Sequence, residues 1–544
     1  MKIKNTMLGL FVALLLFYPA MMHAIPAFAR QYQTSCTTCH SDFPKLNDFG
    51  KAFKDAGFKF PVDNDTFLKQ PPVMLGAPAQ KDQFPHAVWP GVIPGAVPIG
   101  FRMNGFFQYT SHNRNKFNAL AGPPGTVAPF IPQTDFSTGL FSIFAAGDFG
   151  SDIAFWVDDD ISVSGDNAAG GLGDGYLKFV NIGRLFHMPK NSLHLRAGRF
   201  ELELPFTQAR SIDISPYDIY AQANIGAQTP GFAQQNVINQ FTIADAANGV
   251  ELSGGLHTGG YYYAIAVIDQ NTSGVTQSAN TSPFVPSPTG GANGGVGFAS
   301  DANFKDLYGR FAYRFNLERD PKSRHAIQAA GASGPRDHTY LTLGSYYFYG
   351  RSVQRFSGTD LIGNPQVLST REPFYRVGGD FNFNYRYILN IYGLFMYGHD
   401  NNQLPIDITG TLVPLPVTAT SPAPVGFVHG VPATFTGGFI QADFQPFPWT
   451  MFIMRWDAVN SGPDRINGLA LNTATPFVVP FRSTRNRFTP GVQFLIHANI
   501  KASFEYQIRP QQFVTVITNP ITGLPVAIQP FRTNTAVAGL EFVF

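Results

Sequence analysis

The segment 500–509, IKASFEYQIR, changes character at every residue. Ile500, Ala502, Phe504, Tyr506 and Ile508 fall on one face, and Lys501, Ser503, Glu505, Gln507 and Arg509 on the other. Successive side chains of a strand point to opposite faces, so this period of two describes a strand with one apolar and one polar side. FYRVGGDFNFNYR repeats the pattern, setting Tyr375, Val377, Phe381, Phe383 and Tyr385 against Arg376, Asp380, Asn382, Asn384 and Arg386. One such segment fits a half-buried strand in a soluble sandwich. Many long ones in a single chain fit a transmembrane barrel with lipid outside and a polar lumen.

Alternating segments fall at 97–112, 136–149, 151–164, 174–186, 192–202, 248–257, 261–270, 303–317, 339–354, 373–386, 387–399, 433–445, 448–460, 485–497, 499–512 and 533–544. They number sixteen, and bacterial single-chain barrels take an even number. Connectors after odd-numbered segments are mostly long and rich in Gly, Pro, Asn and Thr, whereas those after even-numbered ones are mostly short: GS, HMPKN, TGG, PFP and AN. Short periplasmic turns and long outer loops are the expected asymmetry. Residues 318–337 break the rule, through an enlarged inner turn or a misjudged boundary. The chain ends NTAVAGLEFVF, with Ala536, Ala538, Leu540, Phe542 and Phe544 on the face predicted to meet lipid. Ending on phenylalanine resembles the insertion signal of outer-membrane barrels.

Composition supports the same class. Charged residues make up 14% of the chain, against about 25% in typical soluble proteins. With 52 Phe and 21 Tyr, a soluble protein would struggle to stay dissolved, but a barrel turns such residues to lipid. A formal net charge of +2 with no basic patch argues against a nucleic-acid partner.

The N-terminus reads as a signal peptide over 1–24. Lys2 and Lys4 precede the short apolar core Leu8–Tyr18, with cleavage expected after Ala24. That core is shorter than the roughly 20 residues that span a bilayer as a helix. Export places residues 25–95, and a barrel from 96 to 544, outside the cytoplasm.

The chain's two cysteines lie in Cys36-Thr37-Thr38-Cys39-His40. This C-x-x-C-H pattern attaches one c-type haem, each thiol bonding a porphyrin vinyl group while His40 is held beneath the iron as proximal ligand. A thiol–disulfide site or a metal clip is the competing reading. A helix is expected next, with Asp42 as N-cap and Pro44 near the first turn. Phe43, Leu46, Phe49 or Gly50, and Phe53 recur at helical spacing, and Gly57 is placed to end the helix. That apolar face serves either an ordinary amphipathic helix or a cover over the haem. Met74 is the candidate distal ligand and His86 its rival. Met103 is a weaker candidate, because it alternates with Ile99, Phe101 and Phe107 on an apolar strand face, and an open site or a barrel residue is the remaining option.

The stretch PAFARQYQTSCTTCHSDFPKLNDFGKAFKDAGF resembles the N-terminal segment of the fused monohaem cytochrome–porins, the outer-membrane iron oxidases of iron-oxidising bacteria. Pro26, Phe28, Ala29, Arg30, Gln31, Cys36, Cys39, His40, Phe43, Pro44, Leu46, Phe49, Gly50 and Phe53 carry the resemblance, which covers about residues 26–58. It implies one covalent haem c on Cys36, Cys39 and His40. It also implies oxidation of extracellular Fe(II), or of another redox donor, and transfer of electrons to a periplasmic cytochrome or other carrier. It brings no motif for the distal ligand or for an iron site. A solute-conducting porin with a haem sensor or plug is the alternative, as is outward transfer to external acceptors.

Two further groups invite a function. Asp158, Asp159, Asp160 and Asp166 lie toward the expected outer end of the third strand, where hard oxygen ligands suit Fe(II), although a solvated loop edge is the plainer reading. Arg102, Arg310, Arg376, Asp380, Arg455, Asp457, Lys501 and Glu505 are expected in the lumen, neutralising one another or screening haem propionates.

Overall fold

The computed structural model describes residues 27–32, 38–42, 45–59, 73–74, 92–93, 99–110, 133–149, 152–161, 171–206, 213–222, 243, 246–269, 305–317, 339–359, 365–401, 403–411, 425–430, 432–447, 449–461, 484–497, 500–508, 516–518, 525–527 and 534–543. Sixteen strands close into one barrel. They are β1 (Ile99–Thr110), β2 (Thr134–Phe149), β3 (Ile153–Ile161), β4 (Gly171–Phe179), β5 (His194–Glu201), β6 (Ala246–Gly255), β7 (Gly260–Asp269) and β8 (Asp306–Asn316). The circuit continues with β9 (Tyr340–Thr359), β10 (Pro365–Tyr385), β11 (Leu389–Asp400), β12 (Ala433–Phe447), β13 (Thr450–Ser461), β14 (Thr484–His497), β15 (Ile500–Gln507) and β16 (Thr535–Val543). Each strand pairs antiparallel with its chain neighbours, and β16 closes on β1 from Thr535↔Thr110 to Val543↔Arg102. Closure gives every barrel strand a partner on each side within the wall.

All sixteen expected segments correspond to strands, and the alternation sorts as read. Phe504 and Tyr506 are exposed on the outer face, while Lys501, Ser503, Glu505 and Gln507 are buried inside. On β10, Val377 and Tyr385 face out, and Arg376, Asp380 and Asn384 face the lumen. The outer wall carries Ile265, Phe311, Phe395 and Trp456, each more than half exposed. Met103 keeps the outward phase, paired with Phe542, and so faces away from the lumen. Phe544 lies outside the described residues.

Three boundaries differ from the sequence reading. The fourth strand ends at Phe179, and Ile182–Phe186 forms a 3-10 turn. Asn181 and His187 flank that turn in the left-handed region, which a strand cannot continue through. The ninth and tenth strands run on as a long hairpin, paired from Tyr340↔Asn384 to Thr359↔Pro365, in place of a long outer loop. Their neighbours pair only up to Tyr349 and from Phe374, so the rest is a two-stranded ribbon beyond the rim. The enlarged even connector is real: Asn316 pairs with Tyr340, and the Leu317 N–H donates to Thr339 O at 2.9 Å, with residues 318–338 between them.

Even-numbered connectors define one mouth of the barrel, and odd-numbered ones the other. The connector from β5 to β6 turns inward instead of standing clear, bringing residues 202–206 and 213–222 into the lumen. Helix α3 (Asp218–Gln222), within it, packs against β12 and β13. Leu202, Leu204, Tyr217, Ile219 and Tyr220 join luminal Tyr308, Phe348, Phe374, Met396 and Phe439 in the main apolar core. Burial of these residues fills part of the lumen with packed side chains.

Candidate functional site: the N-terminal segment in the barrel mouth

Helix α1 (Ala27–Tyr32), a small hairpin and helix α2 (Asp48–Asp55) form the N-terminal segment. The hairpin pairs His40–Asp42 with Lys45–Leu46, matching His40 to Leu46 and Asp42 to Lys45. The cysteine motif is therefore followed by a hairpin, and the helix starts later than the sequence suggested. Asn47, not Asp42, is the N-cap. Its Oδ1 accepts the Gly50 N–H at 2.9 Å, the task of an N-cap side chain. Asp42 lies within the hairpin, where its backbone pairs with Lys45.

Asn47 also ties the motif down. Its N–H donates to Cys39 O at 2.9 Å and its Nδ2 to Thr38 O at 3.0 Å. Gly50 makes that approach possible, since a Cβ there would lie 2.2 Å from Cys39 O. At the other end, Gly57 N–H donates to Lys54 O and Phe58 N–H to Phe53 O, a Schellman closure with Gly57 at φ +75°. Gly57 ends the helix as the sequence suggested. Phe58 packs its ring 6.2 Å from that of Phe53, the apolar contact usual for this closure.

The segment sits in the short-turn mouth and touches the wall at several strands. Asp48 receives Arg314 Nη2 at 2.6 Å and Nη1 at 2.8 Å. Lys45 Nζ is 3.1 Å from Asp443, Lys59 Nζ 3.5 Å from Asp148, and Lys51 Nζ donates to Tyr340 OH at 3.2 Å. Asp55 Oδ1 lies 2.7 Å from His257 Nδ1, and Asp55 Oδ2 accepts the His257 N–H at 3.2 Å. Burial pushes the Asp55 carboxyl up, but His257 and Lys178 outweigh it and hold the pKa below the ordinary carboxylate value. Beside this pair a polar cavity of about 20 Å³, roughly one water in size, is lined by Lys54, Arg196, Glu203 and Glu251 among others.

An apolar cluster joins segment to wall. Tyr32, Phe49, Phe53 and Phe58 pack with Ala146 of β2 and Ala154 of β3, and Phe28, Cys39 and Trp156 lie against them. Phe58 and Trp156 are 5.8 Å apart between ring centroids, and Trp156 stacks on Phe144 at 5.9 Å. Of the residues that would hold a c-type haem, the structure describes Cys39 and the adjoining His40, and aromatic side chains that would cover the group lie beside Cys39. Cys36 and His86 lie outside the described residues; Met74 forms a two-residue strand with Val73, paired to Val92–Ile93, and its side chain is likewise outside them.

The other candidates resolve differently. Asp158 Oδ1 accepts Trp156 Nε1 at 3.1 Å and the Asp174 N–H at 2.6 Å, so it braces the wall. Among the described residues no three His, Cys, Asp or Glu side chains gather as a metal site, and Asp166 is not among those residues. Luminal charges do neutralise one another: Arg102 with Glu541, Arg310 with Asp380, and Arg376 with Asp400. Arg455 bonds both Asp457 and Asp213, and Glu505 accepts the N–H of Ser215. Asp213 and Ser215 belong to the inward connector, which no sequence signal marked.

No protein-family profile matches the chain, and no curated protein matches it. Among solved structures it is similar to OprB of Pseudomonas putida, at 11% identity over 82% of this chain and 94% of that one, with a TM-score of 0.44. An anion-selective porin from Comamonas acidovorans aligns at 12% identity over 82% and 99% of the two chains, with a TM-score of 0.42. OmpF of Salmonella typhi aligns at 10% identity over 84% and 98%, with a TM-score of 0.40. The strand circuit itself defines the class: a closed sixteen-stranded antiparallel barrel with an apolar exterior and its N-terminal segment lodged in one mouth.

Proposed function

We propose that this chain is a bacterial outer-membrane electron-transfer protein, in which a porin-like barrel carries one c-type haem in its periplasmic mouth. Cys36 and Cys39 anchor the haem and His40 is its proximal ligand. One observation carries the reading: the Cys39–His40 backbone is fixed by Asn47 and Gly50, with Cys39 against an aromatic cluster shared with the barrel wall.

When bound, haem supplies a one-electron couple. The chain's residues set its surroundings: Phe28, Phe53, Phe58 and Trp156 exclude water, and apolar surroundings shift a haem potential. The wall contacts of Asp48, Asp55 and Lys45 hold the segment in place, so the redox centre has a fixed distance to whatever docks at that mouth. Extracellular Fe(II) is the proposed donor, a periplasmic cytochrome or other carrier the acceptor, and Met74 or His86 the distal ligand.

The test is anaerobic mixing of purified protein with Fe(II), followed by haem absorbance. Reduction within minutes is expected; an oxidised haem that stays oxidised at several pH values rejects iron oxidation. Planar-bilayer conductance addresses the alternative of a solute porin. The inward connector and lodged segment predict small conductance, and a large redox-independent current would reject the conduit.

A further inference from the structure

The connector from β4 to β5, residues 180–193, reads VNIGRLFHMPKNSL and carries Arg184, His187 and Lys190 with no acidic residue. Every residue from Arg184 to Lys190 is exposed, Leu185 at 79% and Phe186 at 67%, with Met188 between His187 and Lys190. Single apolar side chains on a surface are ordinary, but three within four residues of one turn form a patch.

The backbone builds that exposure in. Asn181 and His187 stand in the left-handed region on either side of the 3-10 turn Ile182–Phe186. The Met188 N–H donates to Gly183 O at 2.9 Å, and the Asn191 N–H to Asn181 Oδ1 at 2.6 Å. Gly183 is buried beneath the turn, where an added Cβ would meet Met188, Ser192 and Leu193 at 3.1–3.2 Å. A turn closed in this way cannot fold Leu185 and Phe186 back onto the barrel.

The connector straddles the rim. Its Asn181 N–H donates to Nδ1 of luminal His194 at 3.0 Å. Tyr263, between luminal Tyr262 and Ala264, points outward and donates from its OH to Ser192 O at 2.8 Å. The apolar turn is thus continuous with the outer wall, where Leu177 of β4, Leu252 of β6 and Tyr261 of β7 are exposed.

Charge decides which partner fits. Asp152, from the β2–β3 turn, lies 3.7 Å from Arg184 Nη1 and offsets one cation, with both side chains more than half exposed. On the neighbouring β6–β7 turn, His257 is engaged by Asp55. Lys190 remains in excess, joined by His187 whenever that ring is protonated. Apolar side chains bordered by cations match a leaflet with anionic headgroups.

We propose that the turn Arg184–Lys190 is a membrane anchor. Leu185, Phe186 and Met188 enter the leaflet around the short-turn mouth, and Arg184 and Lys190 meet anionic phospholipid headgroups. The anchor rests on the membrane reading of the outer wall, and not on the haem.

Hydroxyl-radical footprinting of the full-length protein in vesicles tests it, with radicals generated by radiolysis on both sides of the membrane. Labelling is read by mass spectrometry and normalised to the unfolded chain. In phosphatidylglycerol vesicles Phe186 and Met188 should be labelled about tenfold less than Ile408, which is exposed at the long-loop mouth. In phosphatidylcholine vesicles, or in the Arg184→Gln/Lys190→Gln variant, that protection should fall about threefold. Labelling equal to that of Ile408 in phosphatidylglycerol overturns the anchor and leaves the turn in water, open to a periplasmic protein. Equal protection in both lipids also overturns it, because the cations then contribute nothing. Phe504 separates these failures from a wider one. It should stay protected on the wall throughout, and its labelling would overturn the membrane reading together with the anchor.

Discussion

Arg314 of β8 grips Asp48 of α2 in a two-pronged ion pair, and both side chains are almost fully buried, at 2% and 4% exposure. The guanidinium also lies 3.5 Å over the Tyr340 ring of β9. One arginine thus connects the cysteine-bearing segment to two adjacent wall strands.

Removing that arginine should loosen the segment without opening the barrel. Arg314→Met leaves the buried Asp48 carboxylate with Lys51 Nζ, 3.6 Å away, as its ion-pair partner, a loss of about 3 kcal/mol in docking. Hydrogen exchange should rise across residues 48–58 while the barrel strands stay protected. Adding Asp48→Asn should recover part of the loss.

Gly57→Ala tests the end of α2. The new side chain meets φ +75° and a Val180 Cγ2 only 2.8 Å away. A loss of about 1–3 kcal/mol in segment docking is expected from the strained backbone alone. Protease cleavage near residues 56–59 should accelerate, and unchanged cleavage would contradict the closure described above.

The Asp55–His257 contact gives the docking a pH limit. Because the Asp55 pKa is lowered in the folded protein, its contribution is full above the ordinary carboxylate value near 3.8 and is lost as pH falls through the lower folded value. Exchange protection of α2 should hold at pH 5 and decline below pH 4, by the same linkage. Asp55→Asn should remove that step.

Arg455 fastens the inward connector, donating through Nη2 to Ser215 Oγ at 2.6 Å and through Nη1 to Asp213 Oδ2 at 2.7 Å. Arg455→Met should release residues 213–222 and raise single-channel conductance in planar bilayers. Conductance equal to that of the wild type would mean that the connector does not limit the lumen.

A charge on the outer face tests the lipid band. Phe504→Lys should destabilise the barrel by about 2–4 kcal/mol near the bilayer midplane. Denaturant titration of protein folded in vesicles measures the change. The same substitution at Ser503 faces the lumen and should cost less.

By itself the sequence determined the strand number, the order of strands and which side chains face out. Those follow from a period of two that each strand displays alone, together with connector lengths. The Cys-x-x-Cys-His motif and Gly57 as helix terminator were also local signals, readable from spacing and from glycine's freedom at positive φ. Tertiary structure decided less about α2, whose cap by Asn47 is a contact three residues long that follows the hairpin at residues 40–46. It alone sent the β5–β6 connector inward, where Asp213 and Ser215 meet Arg455 from 240 residues or more away. It also set Asp48 on Arg314 and Asp55 on His257, joining residues separated in sequence by 266 and 202 positions. Such pairings have no period and no local propensity; they exist only once closure of the barrel brings distant strands around one lumen.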